Sequence, residues 1–348
     1  MKKAVLAGIR KFQIVEVPKP VIINDTDVLL KVISVGVCGS DMHYYNEGKI
    51  GDQVIQFPFT IGHECSAIVE ETGKSVTKVK PGQLVSVEPA LPCYECEQCK
   101  SGREHTCLNQ KFLGCPGQTE GCLSEYIVMP ERNCFPVPAN ISSELAALIE
   151  PLAIGNYAAS FVKKYFAGSY HQLKAAILGA GPIGLSVLLS LRVLNLKEIY
   201  VTDLLDYRLE AAKKAGAVWT GNANIPGLTN KLVIKNRGFD LVYECCGRQE
   251  AIDQAIDVLK PGGVLLIAGI PETDRISFDI SKIRRKEITI QNIRRQNNSV
   301  QNTIDLTAGN RFSPDFMITH RFTIEQTTEA FETVAGYKDN VIKAMINL

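Results

Sequence analysis

The sequence predicts an α/β chain in two parts, a β-rich region and a doubly wound parallel sheet. Three observations carry that reading. The first 150 or so residues are rich in valine, glycine and proline, with short β-branched runs broken by turn signals. From about residue 173, apolar strand segments alternate with helical patterns. Between the first such strand and its helix lies a glycine turn, GAGPIG, at residues 179–184. At 348 residues the chain has room for two domains of the usual ~100–200 residues.

In the first part, DVLLKVISVGVC, SAIVEE and QLVSVEPA read as strands, separated by turns such as ETGKSV and KPGQ. In the second, LKAAILGAG is a strand and PIGLSVLLSLRVLNL a helix. EIYVTD is a strand, LLDYRLEAAKKAGA a helix and FDLVYECCG a strand. QEAIDQAIDVLK and GGVLLIAG complete the series as helix and strand. Strands that are apolar on both faces need helices on both sides, which is the layering of a parallel sheet. After about residue 290 the alternation stops. The tail, FTIEQTTEAFETVAGYKDNVIKAMINL, gives one helix and one strand, and composition assigns it to neither part.

The hydrophobic content is 45% and the net charge +1, with Lys and Arg mixed among Asp and Glu. No basic face is expected for nucleic acid or for an anionic membrane. The short cluster RRK at 284–286 reads as a solvated turn. MKKAVLAGIRKF begins like a secretory leader, but its apolar run stops at Arg10, short of the ~7–15 residues a leader needs. No stretch reads as the ~20 apolar residues of a membrane span. A cytoplasmic location with reduced thiols is the expectation. Eleven cysteines, an odd number, then point to metal ligands and small buried hydrophobes.

The turn at 179–184 is G-x-G-x-x-G between a strand and a helix, the context a dinucleotide requires. Gly179 would allow the tight turn, Gly181 the close approach of backbone to a pyrophosphate, and Gly184 helix–strand packing. Pro182 and Ile183 open the helix whose positive end would face the phosphates. The next strand ends in Asp203, a carboxylate able to accept from an adenosine ribose and to repel a 2′-phosphate. NAD is therefore favoured over NADP. Arg208 lies close by in sequence. It could serve a 2′-phosphate, stack on adenine or simply cover the helix surface.

Two groups of residues suggest metals. PCYECEQCKSGREHTC places Cys93, Cys96, Cys99 and Cys107 within sixteen residues. Four thiolates suit a closed, tetrahedral structural zinc site with no vacancy for a substrate. A reactive metal needs mixed ligands and an open position. GVCGSDMHYY offers Cys38, with Ser40, Asp41 and His43 nearby; IGHEC offers His63 and Glu64; LIEPL offers Glu150. Taken singly, Cys38 is equally a core thiol, His63 a core histidine and Glu150 a helix-start carboxylate.

Taken together and in order, these motifs resemble the zinc-containing medium-chain alcohol dehydrogenase family over essentially the whole chain. CGSDMHYYNEGKIG, ALIEPLAIG and VTDLLDYRLEAAKKAGA are similar to its polyol branch, the sorbitol and xylitol dehydrogenases. The resemblance implies a GroES-like catalytic domain at 1–155, to which 292–348 returns, and a Rossmann NAD-binding domain at 156–291. It makes Cys38, His63 and Glu64 ligands of a catalytic zinc in the cleft, with Glu150 binding zinc directly or through water. Asp41 would orient the histidine, and Ser40 and His43 would relay a proton to solvent. Tyr44, Ile50 and Arg295 align with substrate-pocket positions.

The implied reaction is NAD-linked oxidation of a polyol, in an assembly of four or two identical subunits. Two departures bear on the substrate: IRRQNN at 293–298 places Gln296 where sorbitol-type members have a tyrosine and adds Arg294, and the pocket-lining segment KFLGCPGQTEGCLSEY matches no known substrate contacts. Phosphorylated polyols, sugar acids, threonine and butanediol are the competing substrates. A silent regulatory protein that only binds NAD and zinc is the competing class.

Overall fold

In the computed structural model every residue is described except Ser169, Glu272 and Asp274, together with the side chain of Ile234. The chain divides into two units, Met1–Glu150 with Val300–Leu348, and Pro151–Ser299.

The first unit is built around one ten-residue strand, Asp27–Gly36, buried along most of its length. Glu64–Thr72 pairs with it antiparallel along one edge, with register shifts after Leu29 and after Val32. Its other edge is shared by two strands. Tyr126–Pro130 takes the first half and Lys343–Asn347 the second. The sheet continues as Leu84–Val87 and Cys134–Pro136 on one side and Ile318–Thr323 on the other. The tail thus supplies two strands to this sheet. The first shift adds Glu70 to the neighbour and the second adds Ile33 to the central strand, so the register after both is the one before them.

The second unit is a six-stranded sheet in the order Trp219–Asn222, Glu198–Asp203, Lys174–Leu178, Phe239–Glu244, Leu259–Ile267, Thr289–Asn292. Every pairing is parallel. Numbered along the chain this is 3-2-1-4-5-6, the doubly wound Rossmann arrangement. The alternating strands and helices read from the sequence occupy it. The edge strand Trp219–Asn222 and the helix Leu228–Asn236 carry too little apolar periodicity to stand out in the sequence.

Three expectations are corrected. Helix Ser143–Tyr165 has an 18-residue window of mean hydropathy 1.4, long and apolar enough to cross a membrane. However, 72% of that window is buried within the fold, so it serves as a core helix. Glu150 sits in the middle of this helix and not at its start. The cluster at 284–286 is the last turn of helix Ile280–Lys286. There Lys286 donates to the carbonyls of Ile256, Asp257 and Leu259 at 2.8, 2.8 and 2.7 Å. A cation at the carboxyl end of helix Gln249–Val258 meets both its unpaired carbonyls and its dipole.

Lys286→Met should therefore lower stability by about 1–3 kcal/mol, since three carbonyls lose a charged donor. Denaturant titration would read the loss, and the metal content should not change.

Candidate metal centre and dinucleotide site

The first site begins where the central strand of the first unit ends. Val37 donates its amide to Ala344, and Cys38 then takes the N-cap position of helix Gly39–Glu47 in extended conformation. A thiolate there faces the positive end of the helix. Asp41, completely buried, closes the cap by accepting the Cys38 amide at 3.3 Å through Oδ2. Its other oxygen lies 3.3 Å from Nδ1 of His63. One carboxylate therefore holds the Cys38 backbone and faces the His63 ring, leaving His63 Nε2 facing away from Asp41.

His63 is set from behind by the segment that follows the cysteine-rich loop. Phe112 packs against its ring at 5.3 Å between centroids. Gly121 and Cys122 donate to the carbonyls of Thr60 and Gly62. A Cβ at Gly121 would lie 2.3 Å from the Ile61 backbone, so only glycine permits this approach.

The donor atoms of Cys38, His63 and Glu64 all lie within 4.8 Å of one another. Burial opposes charging of His63, but Asp41 and Cys38 outweigh it and hold the imidazole well above its usual pKa. Those anions equally favour a metal cation at the ring. Ser40 Oγ is 3.3 Å from Cys38 Sγ and 3.5 Å from His63 Nε2. His43 follows one turn later on the same helix face.

Glu150 stands outside that three-donor set. It is buried, and its Oε2 finds no hydrogen-bond partner. Burial pushes its pKa up to about 8; His63 and Lys343 oppose the rise, while Glu64 and Glu88 add to it. An orphaned buried carboxylate oxygen is costly, and a cation or a cation's water would relieve it. A thiolate, an imidazole and a carboxylate form a three-ligand zinc set with an open position, so the residues fit the metal.

Lys343 was not legible as a site residue. It is 1% exposed, on the C-terminal strand, and its Nζ lies 2.5 Å from Glu64 Oε2. The only signal was a lysine inside an apolar strand, VIKAMINL.

In the cysteine-rich loop, Cys93 and Cys107 sulfurs are 3.4 Å apart, Cys96 and Cys99 3.6 Å, and Cys96 and Cys107 3.9 Å. A disulfide needs about 2.05 Å. Four thiolates at ~2.3 Å around one zinc would stand about 3.8 Å apart, so the spacing suits the metal. Backbone amides pull the Cys93 thiol down to about 6 and lower Cys96, whereas burial pushes Cys99 up to about 12. Arg132 stacks over the Tyr94 ring at 4.2 Å and fastens the loop to its unit.

In the second unit Gly179 has φ +99°, and a Cβ at Gly184 would lie 1.9 Å from the Gly179 carbonyl. Both glycines are thus required by the fold. Gly181 has ordinary φ and room for a Cβ, so its own conformation gives no reason for glycine. Close approach by a ligand does. Pro182 is the first helical residue, followed by Ile183. Asp203 is 8% exposed and accepts from the amides of Ala180 at 2.6 Å and Leu205 at 2.9 Å, fastening the turn to the next strand. Each oxygen retains a lone pair for a ribose hydroxyl. The Arg208 guanidinium reaches to 3.5 Å from the position of a Gly181 Cβ, over the turn where phosphates would lie.

Of the substrate positions, Tyr44 donates to Gln53 at 3.1 Å, and Ile50 packs on the edge of the first unit's core. Arg295 belongs to the second unit, in a left-handed backbone conformation. Gln296 accepts the Ser299 amide at 2.8 Å and so shapes the turn.

Comparison with known proteins finds relatives along nearly the whole chain. The alcohol dehydrogenase GroES-like domain matches residues 24–139, and the zinc-binding dehydrogenase domain matches residues 182–309. Sorbitol dehydrogenase of Bacillus subtilis is 36% identical over 99% of this chain and 97% of its own. D-xylulose reductase of Saccharomyces cerevisiae is 33% identical over 97% and 94%. Among solved structures, galactitol-1-phosphate dehydrogenase from Escherichia coli superposes with a TM-score of 0.90 at 26% identity, covering all of both chains.

Two measurements check the assignments. Metal analysis should find about two zincs per chain. Cys38→Ser should lose one zinc and hydride transfer with the fold intact, while Cys96→Ser should lose the other and lower the melting temperature. The second concerns protons. In the metal-free protein Glu150, at about 8, stays protonated at neutral pH. A raised acid pKa costs the metal-free fold stability as pH climbs from the ordinary carboxylate range towards 8. Metal binding at pH 7 should therefore expel its proton, and calorimetry in two buffers should show about one fewer proton released by Glu150→Gln.

Proposed function

Because the chain belongs to the zinc-binding alcohol dehydrogenase family, we propose that it oxidises a secondary hydroxyl of a polyol to the ketone with NAD. The observation that carries this is the convergence of Cys38, His63 and Glu64 donors within 4.8 Å, in an interior that also holds Asp41 and Glu150. A catalytic site needs such a mixed set, because four thiolates would leave no position for substrate.

When bound, zinc would lower the pKa of the substrate hydroxyl, and the dinucleotide would accept the hydride. The chain's own residues do the rest. Asp41 keeps His63 in the tautomer with the proton on Nδ1, so that Nε2 is a lone-pair donor. Ser40 and His43 share a helix face and pass the hydroxyl proton outward. Glu150, whose Oε2 has no protein partner, accepts from a neighbouring hydroxyl of the polyol or from a water. Asp203 selects NAD by accepting from the ribose and repelling a 2′-phosphate.

A second substrate class is favoured by one feature. Arg294 and Arg295 are consecutive, Arg294 is exposed, and a structural relative is named for a phosphorylated polyol. Arginine is suited to bidentate phosphate contacts.

A screen of sorbitol, xylitol, other polyols, phosphorylated polyols, sugar acids, threonine and butanediol, with NAD and with NADP, tests the reading. Reduction of NAD by free polyols is the expected result. Activity confined to phosphorylated polyols would replace the substrate class, and an inert protein with both zincs bound would overturn the enzyme reading.

A further inference from the structure

Lys343 is an expensive residue where it stands. Its side chain and that of Glu64 are each 1% exposed. Removing an ammonium group from water costs several kcal/mol, and a buried ion pair is often replaced by apolar residues with no loss of stability. Stability alone therefore gives little reason for it. Its contacts suggest another. Nζ lies 2.5 Å from Glu64 Oε2 and donates to the carbonyl of Val37 at 3.1 Å, the residue just before Cys38. One ammonium thus touches one candidate ligand and the backbone leading into another.

Glu64 is constrained a second time at the same oxygen, by Gly36. Gly36 is its cross-strand partner, and Met345 of the C-terminal strand pairs with Gly36 on the other edge. A Cβ at Gly36 would fall 2.3 Å from Glu64 Oε2, so any larger residue would push that oxygen out of its place. Oε2 is therefore fixed between a glycine and an ammonium. Of the two oxygens, Oε1 is the one that these contacts leave unconstrained for a metal.

Resting on the zinc-site reading above, we propose that Lys343 is a positioning residue: by holding Oε2 it restricts Glu64 to one donor oxygen. Carboxylates can bind metals through one oxygen or both, and a second oxygen would occupy the position that substrate needs. With Cys38 as thiolate and Glu64 as carboxylate, the ligand set carries two negative charges. Lys343 offsets one of them, which keeps the metal a stronger Lewis acid.

The test uses the full-length protein with zinc left in the cysteine loop and cobalt(II) exchanged into the other site. Visible absorption of cobalt reports its coordination number independently of turnover. Lys343→Met should retain the metal but show the weaker absorption of a higher-coordinate ion, with kcat down about 10–100-fold, the usual cost of losing a group that orients a metal ligand. Lys343→Arg should restore the wild-type spectrum. Gly36→Ala keeps the charge but displaces Oε2 from the lysine, and should give the methionine variant's spectrum; it decides the matter if Lys343→Met fails to fold. An unchanged spectrum in the folded variants, or loss of cobalt from this site alone, would overturn the proposal. Failure of the wild-type protein to take cobalt there would instead overturn the zinc-site reading itself.

Discussion

The first unit depends on keeping ionisable groups inside a buried sheet edge. Asp41, Glu64 and Lys343 are at most 1% exposed, and Glu150 and His63 are nearly as buried. An isolated charge there is prohibitive, so each must be answered by a partner or lose its charge. The structure does both. Lys343 answers Glu64, Asp41 is shared between the Cys38 amide and the His63 ring, and Glu150, with an unpartnered oxygen, drifts towards neutrality. A divalent cation suits such a set, and binding it would reset the protonation of His63 and Glu150 together. Metal and protons are one equilibrium at this site.

The fold serves that equilibrium by bringing distant segments to one strand end. Residues 36–38 close the central strand, residues 63 and 64 open its neighbour, and residue 343 lies on the strand that covers its remaining edge. The two register shifts between the central strand and its neighbour cancel, so Gly36 faces Glu64 in the same register that pairs Val28 with Thr72. Without a side chain at residue 36, the sheet leaves a recess for a carboxylate oxygen. The anchoring of the tail by Glu144, which bonds Arg321 and Asn347, acts on the same edge.

Legibility followed the range of the physics involved. The glycine turn could be read because its constraints are local: Gly179 needs positive φ, and Gly184 cannot carry a Cβ. The four cysteines were legible for the same reason, lying within sixteen residues. Cys38, His63 and Glu150 were each ambiguous alone, and only their order, through family resemblance, joined them. Lys343 and Gly36 escaped because nothing local marks them; their meaning arises from pairing between strands some 300 residues apart. The helix reading failed at Glu150 for a related reason. Pro151 follows it, and a proline more often sits in a helix's first turn, whereas here it lies inside a 23-residue helix.

This difference in range also separates the two metal sites in folding. The cysteine loop closes over at most fifteen residues, so its ligands meet with little loss of chain entropy, and a metal can organise the loop before the sheet exists. The other centre draws on residues 38, 63 and 64, supported by 41, 150 and 343. Its long closures must be met by sheet formation, including the pairing of the last strand. Metal there can bind tightly only to the folded unit, and its binding free energy stabilises the whole sheet and not one loop. The same requirement explains the buried lysine from another direction. Glu64 lies in the interior of the folded sheet, and Lys343 stands against it as the partner charge at 2.5 Å. A site assembled from both ends of a chain needs an internal counter-ion that a loop of four cysteines, two of them only half-buried, does not.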